Sequence, residues 1–172
     1  MDKSYEAQFA EVVAAKGAAL RRTAYLMCGD WHLAEDLVQG VFVKLHLHWH
    51  RVRRGETFDA YLRTTLFHTF VDTRRLKWRK ETPAEHMPDG EAPGTAPHDD
   101  RDVLVAALRR LPPRQRAGLV LRYWEDLSVE ETAAALGCAV GTVKSQAARG
   151  LAALRPLLAG TALAPSTSNA DR

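Results

Sequence analysis

The chain has 172 residues, 46% of them apolar, with 24 Lys and Arg against 21 Asp and Glu. That is room for one ordinary domain or two small ones, with apolar content enough for a packed core. No apolar run approaches the roughly 20 residues that span a bilayer, the opening MDKSYEAQFAE lacks an apolar signal segment, and two cysteines cannot make a disulfide framework. Membrane insertion and a secreted disulfide scaffold are excluded, and a cytoplasmic location is expected.

In chain order, Phe9, Val13, Leu20, Ala24 and Met27 recur at helical spacing, with Gly17 weakening that helix by about 1 kcal/mol. Gly29 breaks it and Asp30 can cap the next. There Leu33, Leu37, Val41, Leu45 and Trp49 repeat every four residues, widened by Val38 and Phe42. Glu35 and Asp36 early, and Lys44 and Arg51 late, suit the helix dipole. A third helix starts near Thr57 and carries Phe58, Leu62, Leu66 and Phe70. Arg74, Arg75, Lys77, Arg79 and Lys80 cluster at its end, among Tyr61, Phe67, Phe70 and Trp78. Cations interleaved with aromatics suit a surface that follows phosphates and stacks on unpaired bases. The same aromatic spacing suits a core, so both readings stand.

The composition then changes. Glu81, Glu85, Asp89, Glu91, Asp99, Asp100 and Asp102 face a single base, Arg101, and Pro83, Pro88, Pro93 and Pro97 remove helix donors. Such a segment buries too little area to offset its ordering entropy, so a flexible linker is expected over 81–101. It separates a helical domain over 1–80 from a second over 102–158, and 159–172 is expected to be a disordered tail.

In the second block Asp99 or Asp100 can cap a helix bearing Leu104, Ala107, Leu108 and Leu111. Pro113 suits the first position of the next, which runs to about Tyr123. Ser128 and Glu131 form a capping box, and a short helix from Val129 to Leu136 stops at Gly137. A last helix resumes by Gly141 with Val143, Ala147, Leu151, Leu154 and Leu158 inward. Helix, glycine turn, helix, with small Ala133 at the crossing, is the helix-turn-helix pattern. Its second helix presents Thr142, Ser145 and Arg149 outward with Lys144 beside them, and has no acid from Gly141 to Leu158. A helix that enters a major groove needs donors and no carboxylate facing phosphate. A plain helical hairpin with a solvated polar face is the alternative. No stretch alternates with period two for long, so the fold class is all-α, as two small helical domains.

No phosphate loop, nucleophile elbow or paired-carboxylate motif is present, so no enzyme and no cofactor are expected. His46, His48 and His50 invite a zinc reading, but only His46 and His50 share a helix face and no nearby residue completes a tetrahedral set. No metal site is expected, and Cys28 and Cys138 read as small packing residues.

Three stretches carry a family resemblance. They are Gly29-Asp30 through Ala34-Glu-Asp-Leu-Val-Gln39; Tyr61-Leu62 through Asp72 and Arg74-Arg75; and Leu111-Pro-Pro-Arg-Gln-Arg116 through Leu121-Arg-Tyr-Trp-Glu-Asp-Leu-Ser128 to Val140-Gly-Thr-Val-Lys-Ser145. In this order they resemble the extracytoplasmic-function (ECF) sigma factors of bacterial RNA polymerase, in their sigma-E-like actinobacterial branch. The resemblance implies a promoter-melting helical domain, a linker and a helix-turn-helix domain, with core polymerase and promoter DNA as partners and an anti-sigma factor as a further candidate.

It also implies roles for residues. Asp36, Leu37, Gln39 and Phe42 would dock on the polymerase. Arg63, His68, Arg74, Arg75, Lys77, Trp78 and Arg79 would face the −10 element, and Thr142, Lys144, Ser145 and Arg149 the −35 element. Three positions depart from the pattern: Gly40 stands where an acid is usual, His68 where Asn is usual, and Ala139 where Ser often caps the last helix. The rival class is a helix-turn-helix activator or repressor that works without forming a holoenzyme. It predicts a sensory domain ahead of the linker, commonly with strands, which this first block does not supply.

Overall fold

The computed structural model of the chain describes residues 3–54, 58–80 and 100–162. Every element among them is helical: α1 (Lys3–Cys28), α2 (Trp31–Arg54), α3 (Phe58–Lys80), α4 (Asp100–Arg109), α5 (Pro113–Leu119), α6 (Val129–Leu136) and α7 (Val140–Leu157). Their contacts divide the chain into two compact units, Met1–Thr73 and Arg74–Arg172. No described helix is long and apolar enough to cross a membrane. The expected linker, up to residue 99, and the tail beyond 162 lie outside the described residues.

In the first unit α1 and α2 form an antiparallel hairpin about a two-residue turn. Gly29 takes a positive φ of 72°, which costs a glycine nothing, and the Asp30 carboxylate accepts the Leu33 N–H at 2.9 Å. The core is built from Leu20, Ala24, Leu26 and Met27 of α1 and from Ala34, Leu37, Val38, Val41, Leu45, Trp49 and Val52 of α2. Leu62, Leu66, Phe67 and Phe70 of α3 complete it. Phe9, Val13 and Leu33 are only half-buried, because they lie near the ends or the edge of the packed seam. Rings close the far end of the hairpin: Tyr5 and Phe9 meet Trp49 edge-on at 5.4 and 5.7 Å, and Phe58 reaches Trp49 at 5.3 Å.

Polar bonds then fix α3 against the hairpin. Lys16 pairs with Asp59 at 2.8 Å, Lys44 Nζ donates to Thr69 Oγ1 at 3.0 Å, and the Tyr61 hydroxyl donates to the Lys44 carbonyl at 3.2 Å. Lys44 therefore ties two helices together rather than merely balancing a helix dipole. At Gly40 a Cβ would stand 3.4 Å from Thr69 Cγ2, an ordinary contact, so packing does not demand a glycine there.

In the second unit α4 buries Val105, Ala107 and Leu108, while Leu104 is half-buried. Asp100 is the first helical residue rather than a cap, and Asp99 lies outside the described residues. Pro113 opens α5, which continues into a π-helical turn over Val120–Trp124. That turn closes through Glu125 N–H to Val120 O at 3.0 Å, and Asp126, at φ 53°, reverses the chain.

Between α4 and α5 sits a buried cation. Arg116, 1% exposed, donates through Nη2 to the carbonyls of Arg109 and Leu111, both at 3.1 Å. It satisfies acceptors that the Pro112-Pro113 break leaves at the end of α4. The α6 boundaries agree with the sequence reading. Ser128 Oγ accepts the Glu131 N–H at 3.0 Å, and Glu131 accepts the Ser128 N–H at 2.8 Å.

Candidate nucleic-acid interface

The presentation of α7 is set by the turn before it. Gly137 adopts φ 63°, Cys138 N–H bonds Ala133 O at 3.0 Å, and Gly137 N–H bonds Ala134 O at 3.3 Å. This pair of bonds is the Schellman ending of a helix, and it turns the chain within three residues. Cys138 is half-buried in that turn rather than fully packed, whereas Cys28 is buried and its thiol donates to Asp30 O at 3.2 Å. Ala139 then starts α7 in an extended conformation with no side-chain cap.

Behind α7, Val143, Gly150, Leu154 and Leu158 are buried. Gly150 permits the packing: a Cβ there would stand 2.8 Å from Leu119 Cδ1 and 3.2 Å from its Cγ. In front, Thr142, Lys144, Ser145 and Arg149 are all exposed. At 3.6 residues per turn, Thr142, Ser145 and Arg149 fall within roughly 60° of one another, and Lys144 lies roughly 100° from Ser145. The helix thus offers one three-residue reading face and a cation on its flank. Ser145 Oγ donates to Thr142 O at 3.0 Å, which leaves the hydroxyl oxygen as an acceptor facing outward.

The residues expected at the −10 element are not all on one face. Arg63 and Arg74 are three turns apart and nearly in line, but His68 stands roughly 140° around the helix from Arg63. His68 is exposed and its ring lies against that of Phe67 at 5.3 Å. Phe67 and Phe70, 1% and 0% exposed, are core residues, which settles their double reading. The backbone of Arg75, Lys77, Trp78 and Arg79 continues α3, and their side chains lie outside the described residues.

On α2, Asp36 and Gln39 are exposed on the outer face. Leu37 corrects the expected docking set: it is 2% exposed, in the core stripe with Val41 and Leu45, and cannot meet a partner. Its phase, one residue from Asp36, turns it roughly 100° away. Phe42 is half-buried, with its ring 3.9 Å from where a Gly17 Cβ would be. Sequence reasoning did not single out Val43 and Leu47, which are apolar yet exposed on this same helix. Their missing signal was phase: both fall on the opposite side from the core repeat.

His46, His48 and His50 are exposed. The Tyr5 hydroxyl bonds His46 Nδ1, and the Tyr5 ring lies 6.2 Å from that of His50, so aromatic packing accounts for the pair on one face. Among the described residues no group of three or more His, Cys, Asp or Glu side chains is placed to hold a metal ion.

Comparison with known proteins bears on both units. Residues 12–80 match the family described as Sigma-70 region 2, and residues 101–154 match Sigma-70, region 4. The chain is 40% identical to an RNA polymerase sigma-E factor of Streptomyces avermitilis over 149 residues, 86% of this chain and 83% of that protein. It is 39% identical to the Streptomyces coelicolor sigma-E factor, over 86% of this chain and 84% of that one. Among solved structures, the sigma factor RpoE of Bartonella quintana, in complex with the anti-sigma factor NepR, is similar with a TM-score of 0.69 and 29% identity. That match covers 88% of this chain and 96% of that one. These matches, with the two helical units and the helix-turn-helix already described, place the chain in the ECF sigma factors of RNA polymerase, sigma-E-like branch: non-enzymatic subunits whose partners are core polymerase and promoter DNA.

Proposed function

We propose that the domain over 1–80 melts and reads the −10 element, that 102–158 reads the −35 element, and that 81–101 links them. The observation that carries this is the face of α7, where Thr142, Ser145 and Arg149 stand together, exposed and free of acids, on a helix anchored from behind at Gly150. In this reading Arg149 addresses a base edge and Lys144, off the face, holds a phosphate. Asp36 and Gln39 dock on core polymerase, with Leu37 holding their helix in place from within. Phe42 borders that surface. Arg63, His68 and Arg74, with Arg75, Lys77, Trp78 and Arg79 further along α3, serve the −10 side. Their split over two faces suits a strand that wraps α3 better than a duplex lying along it.

The protein works in the cytoplasm, where polymerase and chromosome are. An anti-sigma factor is a fitting regulator, because the similar Bartonella sigma factor was solved with one. The test is permanganate footprinting of the holoenzyme on a promoter taken from binding-site selection. Thymines of the −10 element should become reactive only with this chain present, and changes in the −35 element should reduce occupancy. Closed duplex at −10 under conditions of full binding would refute the melting role. Limited proteolysis tests the domain assignment, with the first cut expected between 81 and 101.

A further inference from the structure

The buried line of α7 decides which of its residues stand farthest out. Val143, Gly150 and Leu154 face inward, and the opposite side of the helix carries Ser145, Ala148 and Ala152, all exposed. Ala148 lies roughly 160° around the helix from Gly150, with Lys144 roughly 40° to one side of it and Arg149 roughly 100° to the other. The two cations are therefore shoulders, and the surface between them is low, because alanine ends at Cβ and serine one atom further on. Positions 145, 148, 149 and 152 follow the i, i+3, i+4, i+7 spacing of one helix face. They run for about 10 Å, the rise of roughly three base pairs.

We infer that Ala148 determines specificity by packing its methyl group on the 5-methyl group of a thymine in the −35 element. This rests on the −35 reading proposed for α7. An alanine side chain has neither donor nor acceptor, so it cannot pair with a polar base edge, and the thymine methyl is the apolar group that a base pair presents in the major groove. A base pair without that methyl loses the apolar contact, and a polar edge set against Ala148 is desolvated without a partner. The cations at 144 and 149 draw DNA onto the helix, and no long side chain at 145, 148 or 152 holds the bases away. The close packing of Gly150 on Leu119 holds α7 from behind. The Ala148 methyl then has its place set by the backbone alone, with no rotamer to adjust.

The experiment assembles holoenzyme from core polymerase and the full chain, and measures its affinity for a promoter taken from binding-site selection. Each −35 thymine in turn is replaced by deoxyuridine, which lacks only the 5-methyl group and keeps every hydrogen bond of the pair. At one position the parent should lose about fourfold in affinity, the loss expected for one buried methyl group. Ala148→Gly should bind thymine and deoxyuridine there equally. That ratio is internal to the variant, so a weakened helix does not disturb it. Ala148→Ser, which sets a hydroxyl against the base, should shift the selected base at that position and leave the others as they are. If the parent is indifferent to deoxyuridine throughout while Arg149→Ala and Lys144→Ala still weaken binding, this inference fails and the −35 reading stands. A deoxyuridine loss that persists in full in Ala148→Gly would assign the methyl contact to another side chain and overturn the inference. If no substitution at 144, 148 or 149 changes promoter affinity or selection, the −35 reading fails with it.

Discussion

Replacing Arg116 by Met removes one buried cation and keeps most of its apolar length. Arg116 holds two carbonyls at the end of α4, that of Leu111 in the interior and that of Arg109 in a half-exposed place. An unsatisfied buried acceptor costs about 1–3 kcal/mol, and the half-exposed one less because water can reach it. The desolvation of the guanidinium, recovered in the variant, offsets part of that sum. A net loss of about 1–3 kcal/mol follows. For a helical unit of this size each kcal/mol moves the melting temperature by about 4–8 °C, so the transition that involves the second unit should fall by about 4–24 °C. Thermal unfolding of the full chain by circular dichroism reads it, and Arg116→Lys should lie between parent and Met, since an ammonium can reach one carbonyl. A melting temperature within 2 °C of the parent for Arg116→Met would refute the reasoning, because it would mean that the α4–α5 corner closes without the cation.

Ala139→Ser should stabilise the chain by about 1 kcal/mol, because α7 starts without a side-chain cap, and denaturant unfolding at unchanged slope checks this. Ser128→Ala should cost about 1 kcal/mol by the same measurement, since it removes the Oγ that accepts the Glu131 N–H, while the backbone N–H of residue 128 can still donate to the Glu131 carboxylate. Arg149→Ala should relax the preference at particular −35 positions by about 1–3 kcal/mol in binding-site selection. Lys144→Ala should instead weaken binding to every sequence and reduce the salt slope by about one unit, read from affinities at several salt concentrations.

What the sequence made legible is local. Asp30, Ser128 with Glu131, and Gly137 fixed helix ends because capping is chemistry between residues three or four apart, and all of these bonds are present. The exposed face of α7 was legible because Arg149 shares its phase with the hydroxyls of Thr142 and Ser145, while Lys144 lies on the flank. Leu37 was misassigned because a resemblance carries over a stretch of chain without its helical phase, and one residue of phase separates surface from core. Phase also sets His68 on a different face of α3 from Arg63. Arg116 and Gly150 were missed because their roles depend on which helix lies opposite. A signal existed for each: an arginine where the apolar stripe of α5 should continue, and a glycine in the middle of an otherwise well-formed helix.

The most direct test of the whole account is run-off transcription with purified core polymerase. With the chain present, initiation should begin at one defined start on a selected promoter, and core polymerase alone should give no such transcript. Asp36→Arg should lose the transcript while still binding −35 duplex through its intact second unit. A chain that binds the promoter tightly but leaves transcription by core polymerase unchanged, or represses it, would contradict the account.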